Sequence, residues 1–238
     1  MKYCKLLFLE EIDSTNNYAK THISDIDDKT VVYTNKQTNG RGRFDRKWID
    51  LGNENLYLSI VLKPSENLKS TYCNMTQYAS LKLSETFDEY GVESFIKWPN
   101  DILINNKKIS GILAESVIKS GYMQGIVLGI GINLNSKTND LAKINKAATS
   151  LNIEIQNKVD KNKFLDKFTE KFFRDYDKFL VNGFLYIKDD YIKKINFIGK
   201  EITITNMDNN ITGIAECVTD TGAIIINNQE FYTGDITF

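Results

Sequence analysis

The stretch KWPNDILINNKKISGILAE, residues 97–115, combines two strand patterns with the signals for two turns. Pro99 fixes the first turn, so Lys97 should end one strand and Asp101 should begin the next. The asparagine pair that follows suits a hairpin tip, which brings two further lysines back alongside these charges. The stretch therefore predicts antiparallel strands carrying a compact set of charges of both signs. A surface hairpin with solvated charges is the alternative interpretation.

Working outward, strand and helix patterns interleave along the chain. Helices are predicted from Ser14, capped by Asp13 or Ser14 itself, and from about Cys73 to Tyr90. Alternation and β-branched content predict strands at Lys5–Leu9, Val31–Thr34, Leu56–Leu62, Ile102–Ile104, Ile109–Glu115 and Met123–Ile130. We therefore predict an α/β (α+β) fold in which a mixed sheet is flanked by helices.

The sequence pattern changes in the last third of the chain. From Lys161 to Leu180 five aromatic residues fall on one face of a helix, and a core-facing stripe explains this spacing better than a ligand-binding box. After about Ile198, short β-like runs are separated by polar turns, which is typical of a small barrel. These runs are Glu201–Thr205, Gly213–Val218 and Ala223–Ile226. We expect a catalytic domain at 1–192 and a β domain at 193–238.

Composition excludes several classes of function. The chain has 238 residues and a formal net charge of −1, so no global field draws it to nucleic acid or to an anionic membrane. The apolar run Leu6–Leu9 is too short for a signal peptide or a membrane span. Three cysteines, widely separated, provide neither a disulfide framework nor a CxxC metal site. A reducing cytoplasm is the expected compartment.

The decapeptide QTNGRGRFDR, residues 37–46, is the strongest candidate for an anion-binding loop. Its glycines, Gly40 and Gly42, allow close approach of the backbone, and its arginines match carboxylate or phosphate oxygens. The arginines are Arg41, Arg43 and Arg46. By itself the loop is compatible with a phosphate site, with nonspecific nucleic-acid contacts or with a solvated segment.

The stretch LGIGINLN, residues 128–135, contains a GxG pattern but not GxGxxG, because Leu134 occupies the third glycine position. A dinucleotide-binding fingerprint is therefore rejected. Asn133 is a candidate for the sheet edge, where ligands of α/β folds commonly lie. A buried strand with glycines for close packing is the alternative.

Together, these motifs resemble the biotin protein ligases over nearly the whole chain. The resemblance rests on EIDSTN (11–16), QTNGRGRFDRKW (37–48), NLYLSIVLKP (55–64), KWPNDILINNKKISGILAE (97–115) and GIGINLN (129–135), with a tail similar to that family's SH3-like C-terminal domain. It implies a class II aminoacyl-tRNA synthetase/biotin synthetase-like fold and an enzyme that activates biotin with ATP. Biotinyl-5′-AMP would then biotinylate a lysine of the carrier protein domain of acetyl-CoA carboxylase.

The resemblance also implies roles for individual residues. The ureido ring of biotin would be recognised by Ser14, Thr15, Asn16 and Gln37. Lys97 would lie between the biotin carboxylate and the α-phosphate, Arg41 and Arg43 would close over the adenylate, and Asp101 would assist transfer. Lys97, Arg43 and Asp101 are thus the catalytic candidates. Lys108 would contact the biotin tail, Trp48 would stack on adenine or seal the loop, and Asn133 would lie near the phosphates. The remaining binding candidates are Gly40, Gly42, Arg46, Asn100 and Gly111.

Other implications concern cofactors and partners. Mg²⁺ is expected with ATP, with no residues assigned as metal ligands. No partner nucleic acid or membrane is expected, and the resemblance allows a homodimer. Because about a dozen residues precede Asp13, we expect a monofunctional ligase that is not a transcriptional repressor. His22, the only histidine, is expected to be incidental.

Two departures and two rival functions complete the prediction. Asp45 stands where the family loop has glycine, which is expected to lower its anion affinity, and Ser110 replaces the family's alanine. A lipoate or octanoate ligase or transferase of the same fold should lack the combination of the arginine loop, residues 37–46, with the KWPND motif, residues 97–101. A nucleic-acid-binding module should show strongly salt-dependent binding and no ATP chemistry.

Overall fold

The computed structural model describes residues 3–44, 46–52, 54–63, 71–144, 147–206 and 209–237, so Asp45 lies outside the described residues. The strands are β1 (Lys5–Ile12), β2 (Thr30–Gln37), β3 (Leu56–Leu62), β4 (Phe95–Lys97), β5 (Asp101–Ile104), β6 (Lys107–Lys119), β7 (Tyr122–Ile132), β8 (Glu201–Asn206), β9 (Asn209–Val218), β10 (Ile224–Ile226), β11 (Gln229–Phe231) and β12 (Asp235–Thr237). The helices are α1 (Thr15–Thr21), α2 (Met75–Asp88), α3 (Thr138–Leu141), α4 (Leu151–Ile155), α5 (Lys161–Asn182) and α6 (Lys188–Lys193).

The first seven strands form one sheet in the order β1-β2-β3-β7-β6-β5-β4. β1 pairs with β2 in parallel and the other neighbours are antiparallel, which confirms the mixed sheet. All six predicted strands are present, and β6 and β7 extend beyond their predicted ends. Their pairing continues out to Lys119 opposite Tyr122, where the side chains are exposed and the hydrophobic pattern fades.

The hairpin region is organised as predicted. Lys97 ends β4 opposite Asp101, which begins β5, and the bond between Trp98 and Pro99 is cis. Asn105 and Asn106 both have positive φ, 50° and 59°, as the tight turn from β5 to β6 requires. Because the turns hold these strands adjacent, their charged residues are brought to one edge of the sheet.

The two faces of the sheet pack against different helices. In β3, Leu56, Leu58, Ile60 and Leu62 point into the larger core with α2 and α5. Val61 points the other way, into a smaller cluster with Ala19 of α1. Strand alternation thus assigns one set of side chains to the core and the other to the α1 face, where the candidate site lies.

The aromatic stripe of α5 belongs to the core, as predicted. Asp160 caps the helix by accepting hydrogen bonds from two backbone N–H groups, and Gly183 follows its last residue with a φ of 66°. The stripe is buried against α2, with the rings of Tyr78 and Phe172 in an edge-on contact at 5.1 Å. Its members are Phe164, Phe168, Phe172, Tyr176 and Phe179.

Phe172→Ala is expected to lower the free energy of unfolding by about 3–5 kcal/mol, because it removes a ring from the centre of this interface. Denaturant unfolding measures the effect. Val181→Ala on the same helix is the control, since Val181 is 75% exposed. A variant of Phe172 that unfolded normally but failed to bind ligand would instead support the ligand-box interpretation.

The last five strands form a second, antiparallel sheet in the order β11-β10-β9-β8-β12, consistent with an SH3-like domain. It contacts the first domain at the start of α2, where Asn74 and Gln77 donate hydrogen bonds to the carbonyl oxygens of Thr221 and Gly222, at 2.9 and 2.8 Å. The domain boundary between residues 192 and 193 stays a prediction. Within the described ranges, no helix has the length and apolar character needed to cross a membrane.

Candidate active site

A cavity opens on the α1 face of the sheet because glycines replace larger residues there. Gly131 of β7 lies opposite Gly111 of β6, and Gly129 is its neighbour on the same face. A Cβ atom on Gly131 would come within 2.3 Å of the Trp48 indole, and one on Gly129 within 2.2 Å of Asn16 Oδ1. The glycines of this motif therefore make room for two side chains, which confirms the close-packing interpretation for both positions. We call this space the sheet cavity.

One end of the sheet cavity is polar. Ser14 caps α1 by accepting a hydrogen bond from the Asn17 backbone N–H, which places the first turn of the helix over the sheet. Thr15 donates its backbone N–H to Gln37 Oε1 at 2.8 Å, and its hydroxyl lies 3.1 Å from the same oxygen. Ser59 of β3 lies beneath, 2.6 Å from Asn16 Oδ1. The polar groups are thus fixed by one another before any ligand binds.

This network leaves defined hydrogen-bonding capacity for a ligand. Gln37 Oε1 is occupied by Thr15, and Gln37 Nε2 makes no hydrogen bond with another described residue, so the amide offers a donor. Asn16 Nδ2 is occupied by Glu115 Oε2 and the Leu113 carbonyl oxygen, at 2.8 and 3.3 Å. Asn16 therefore has only its oxygen to offer.

The arginine loop folds back as a short hairpin between the two domains. Arg41 bridges to Lys47, and the Gly42 N–H donates to the Arg46 carbonyl oxygen at 2.7 Å. Asp50 fixes the base of the loop by accepting from the Gln37 backbone N–H at 3.1 Å and from the Tyr57 hydroxyl at 2.9 Å. Burial raises the pKa of the Tyr57 hydroxyl, which remains a donor.

The three arginines of the loop do not point the same way. Arg43 donates to Asn100 Oδ1 at 2.9 Å and to the Gly234 carbonyl oxygen at 3.1 Å, and it pairs with Asp235 at 3.2 Å. Arg46 pairs with the second carboxylate oxygen of Asp235. Burial lowers the pKa of Arg43, opposed by nearby carboxylates, and the guanidinium stays charged.

Arg41 lies apart from the other two arginines. Its Nη1 donates to Asn17 Oδ1 and Glu115 Oε1, each at 3.1 Å. The family resemblance places Arg41 and Arg43 together over an adenylate. In this structure they lie on different sides of the loop, because each follows the carboxylate nearest to it.

Asp235→Asn is expected to loosen the loop without unfolding the protein. The pair is partly exposed, so its loss should cost less than about 1 kcal/mol of stability, while the loop loses its only anchoring carboxylate among the described residues of the C-terminal sheet. Limited trypsin digestion should cleave faster at the loop arginines. Asp220→Asn, which removes an exposed pair with Lys188, is the control. Equal cleavage of both variants would contradict this role.

A second space, which we call the interdomain cleft, lies between the loop and β12. Lys97 lines it at the end of β4. Asp101 accepts an ion pair from Lys108 at 2.7 Å, and the Lys108 ammonium lies 5.4 Å from the centre of the Trp48 ring. The cleft is thus lined by cations at the point where it meets the sheet cavity.

The two spaces contain all but one of the candidate residues found from the sequence. The sheet cavity alone is lined by Ser14, Thr15, Asn16, Gln37, Arg41 and Gly111. Both spaces share Gly42, Arg43, Trp48, Asn100 and Lys108. The interdomain cleft alone is lined by Arg46, Lys97, Asp101 and Asn133.

Three of these candidates need comment. Gly40 lines neither space; it packs beneath Trp48 and Gln37, where a Cβ would lie 2.6 Å from the Trp48 carbonyl oxygen. Asn133 uses its amide nitrogen to hold the Thr149 carbonyl oxygen at 3.0 Å, a bracing contact. Trp48 seals the loop by lying over the glycine pair. His22 stacks on Tyr18 and lines neither space.

Sequence reasoning missed several contributors. Ser59 carries the one signal that was available, a polar residue inside the apolar run LYLSIVL of β3. Glu115 and Asp50 had no signal, since single acidic residues are ordinary on strands and loops. Ser110, a departure from the family pattern, is buried and donates its hydroxyl to the Gly131 carbonyl oxygen at 2.7 Å.

Mg²⁺ finds no dedicated site among the described residues. No group of three potential ligands from His, Cys, Asp and Glu occurs there. The two carboxylates of the cleft, Asp101 and Asp235, are both paired with cations. These residues do not fit a protein-held metal, and we assign no step to one.

The chain is similar in sequence and in fold to known proteins. Residues 8–133 match the model of the biotin/lipoate A/B protein ligase family. The biotin–[acetyl-CoA-carboxylase] ligase of Paracoccus denitrificans is 30% identical over 92% of each chain. The bifunctional ligase/repressor BirA of Bacillus subtilis is 31% identical, covering 87% of this chain and 65% of BirA. A biotin protein ligase from Aquifex aeolicus, solved in complex with biotin and ATP, superposes with a TM-score of 0.83 at 27% identity, covering 98% of this chain and 97% of that one.

The family match spans more than half of the chain, and the fold with its two adjoining spaces is that of a ligase. The chain belongs to the biotin/lipoate A/B protein ligase family, as a biotin protein ligase. The mixed sheet and the second sheet agree with the fold expected from the family resemblance. The lipoate or octanoate alternative is not favoured, because the relatives compared above are biotin ligases.

Proposed function

We propose that this chain joins biotin to ATP, forming biotinyl-5′-AMP and pyrophosphate, and then transfers biotin to a carrier-protein lysine. The observation that carries the proposal is the continuity of the two spaces. A polar end leads past Trp48 to a group of cations. That order matches a molecule with a polar ring, an aliphatic chain and a carboxylate, followed by a nucleotide.

The polar end suits the ureido group of biotin. Gln37 supplies a donor for the ureido carbonyl oxygen, and Asn16 supplies an acceptor for a ureido N–H. The Ser14 hydroxyl, whose oxygen already accepts from the helix, retains its proton for donation. The aliphatic chain would lie beside the Trp48 indole, which covers the Gly111–Gly131 pair.

Adenylate formation would take place where the cavity meets the cleft. A carboxylate oxygen of biotin attacks the α-phosphorus of ATP, and the bond to the β-phosphate oxygen breaks to release pyrophosphate. The transition state gathers negative charge from both reactants, so fixed cations stabilise it more than the separated ground states. Lys97 and Arg43, which line the cleft, are the proposed cations for this role, and Lys108 would contact the end of the aliphatic chain.

Metal enters this proposal only with the nucleotide. ATP would bind as its Mg²⁺ complex, the ion being held by phosphate oxygens and water, as is common for Mg²⁺.

Transfer would follow at the same point. A neutral lysine amine of the carrier attacks the acyl carbon, and AMP leaves with the bonding electron pair. Asp101 is the proposed aid that orients this amine or accepts its proton, and it must first exchange its ion pair with Lys108. No covalent intermediate with the enzyme is required.

Biotin-dependent exchange of pyrophosphate into ATP tests the first step. A biotin mass increment on the lysine of a purified acetyl-CoA carboxylase carrier domain tests the second. Exchange that depended on lipoate or octanoate instead of biotin would overturn the proposal in favour of the rival acyl ligases.

The arginine loop also bears on the nucleic-acid alternative. Its arginines are paired with carboxylates, Arg41 with Glu115 and the other two with Asp235. The family match and the formal net charge of −1 favour the ligase over the nucleic-acid alternative.

Partners and location complete the proposal. We propose the carrier domain of acetyl-CoA carboxylase as the protein substrate and the cytoplasm as the compartment. The homodimer and the lack of repressor activity stay predictions, which sedimentation of the purified chain and binding to operator DNA would test.

A further inference from the structure

Glu115 is a half-buried carboxylate to which no role has been assigned. It lies on β6, on the face that carries the sheet cavity, with its side chain 18% exposed. Oε1 accepts from Lys20 Nζ at 2.7 Å and from Arg41 at 3.1 Å. Oε2 accepts from Asn16 Nδ2 at 2.8 Å. One carboxylate therefore joins α1, the arginine loop and the polar end of the cavity.

The ionised form of Glu115 can only accept hydrogen bonds. Burial alone would raise its pKa, but hydrogen bonds from Lys20 and Asn16 and the charges of Lys20 and Arg41 outweigh burial, so the pKa lies below its ordinary value. Because Glu115 Oε2 can only accept, Asn16 has to turn its NH₂ group toward Glu115. The oxygen of the amide must then face Ser59 and the cavity.

We propose that Glu115 is a positioning residue that sets the polarity of Asn16, so that the cavity presents an acceptor to a ureido N–H of the ligand. The inference rests on the proposed function and extends it to a specificity-determining residue outside the cavity lining. A ligand with an N–H at this point is selected. A ligand with a carbonyl group there would place its oxygen against the Asn16 oxygen, with no hydrogen between them.

Glu115→Gln tests the proposal because it reverses this polarity with almost no change in shape. The glutamine oxygen is needed by Lys20 and Arg41, which leaves its NH₂ group facing Asn16. The shorter contact of Asn16 Nδ2, at 2.8 Å to position 115, then favours rotation of the Asn16 amide over its longer contact at 3.3 Å to the Leu113 carbonyl oxygen, which turns the NH₂ group toward the cavity. The cavity would present a donor to a ureido N–H, leaving both groups without an acceptor.

In steady-state pyrophosphate exchange, Glu115→Gln should raise the KM for biotin about tenfold or more, with kcat and the KM for ATP within about twofold of the parent. Lys20→Gln is the matched control, since it removes another partner of Glu115 and leaves Asn16 in place; its KM for biotin should stay within about twofold. Parallel rises in both KM values, or equal effects of the two variants, would show a merely structural role and overturn the proposal.

The double variant Asn16→Asp with Glu115→Gln is the rescue. Aspartate at position 16 accepts from the new glutamine and again offers an acceptor to the cavity, and the net charge is unchanged. Its KM for biotin should return toward the parent value, and failure to rescue would contradict the polarity argument even if Glu115→Gln alone folds poorly. A parent protein without biotin-dependent exchange would refute the proposed function itself. An active parent with an unaffected Glu115→Gln would refute only the inference.

Discussion

Lys97→Ala is expected to reduce biotin-dependent pyrophosphate exchange by about 100-fold or more while biotin binding is largely retained. Lys97 lines the interdomain cleft at the end of β4, beyond the polar end and the Trp48 side chain that would hold biotin. Its charge would act on the crowded negative charge of the adenylation transition state, which exists only when ATP is present. Ground-state binding of biotin should therefore depend on it far less than kcat does.

Two measurements separate these effects. Tryptophan fluorescence titration gives biotin affinity, and pyrophosphate exchange gives the rate of adenylation. Lys107→Ala is the control, because Lys107 is an exposed lysine at the start of β6 and lines neither the sheet cavity nor the cleft. A Lys97→Ala protein that lost biotin binding and kept its exchange rate at saturating biotin would contradict the assigned role.

Gly131→Ala is expected to abolish tight biotin binding although it adds a single methyl group. The new Cβ would lie 2.3 Å from Trp48 Cε2 and 2.6 Å from Cζ2, far inside contact distance. The indole has to leave the Gly111–Gly131 pair, which displaces the side chain against which the proposed aliphatic chain would lie. Overpacking of this kind typically costs about 1–3 kcal/mol, here concentrated on the loop and the cavity.

A double-mutant cycle tests the steric cause. In a Trp48→Leu background the methyl group meets a smaller side chain, so adding Gly131→Ala should cost much less biotin affinity than it does in the parent. Biotin titration of the four proteins measures the coupling. Additive effects would mean that the methyl group acts through the strand and not through Trp48.

The fold was largely predictable because its signals are local. β3 occupies the predicted residues, the asparagine pair forms the predicted tight turn, and Gly183 follows α5 as expected. Each depends on residues adjacent in sequence or on one face of one element. The outer part of β6 pairs with the start of β7, but its side chains are exposed and lack a hydrophobic pattern, so sequence reasoning ended the strand too early.

The sequence predicted which residues line the two spaces but not which way their side chains point. Motif resemblance named residues that do surround the two spaces, since a motif fixes which side chains reach the end of a strand or a helix cap. It did not show that Arg41 turns to Glu115 while Arg43 turns to Asp235, because both carboxylates lie more than 70 residues from the loop in sequence. Long-range ion pairs of this kind leave no periodic or local trace.

By itself the sequence determined the mixed sheet, the aromatic core helix, the C-terminal β domain and most of the residues that surround the two spaces. Only the tertiary structure decided which way those residues face. Glycines 129 and 131 become the floor of a cavity because Asn16 and Trp48 arrive from α1 and the loop. Glu115 orients the amide of Asn16 because the pairing of β6 with β7 places Glu115 beside α1. Hydrogen-bond polarity and steric contact are properties of groups in space, and the fold alone brings these groups together.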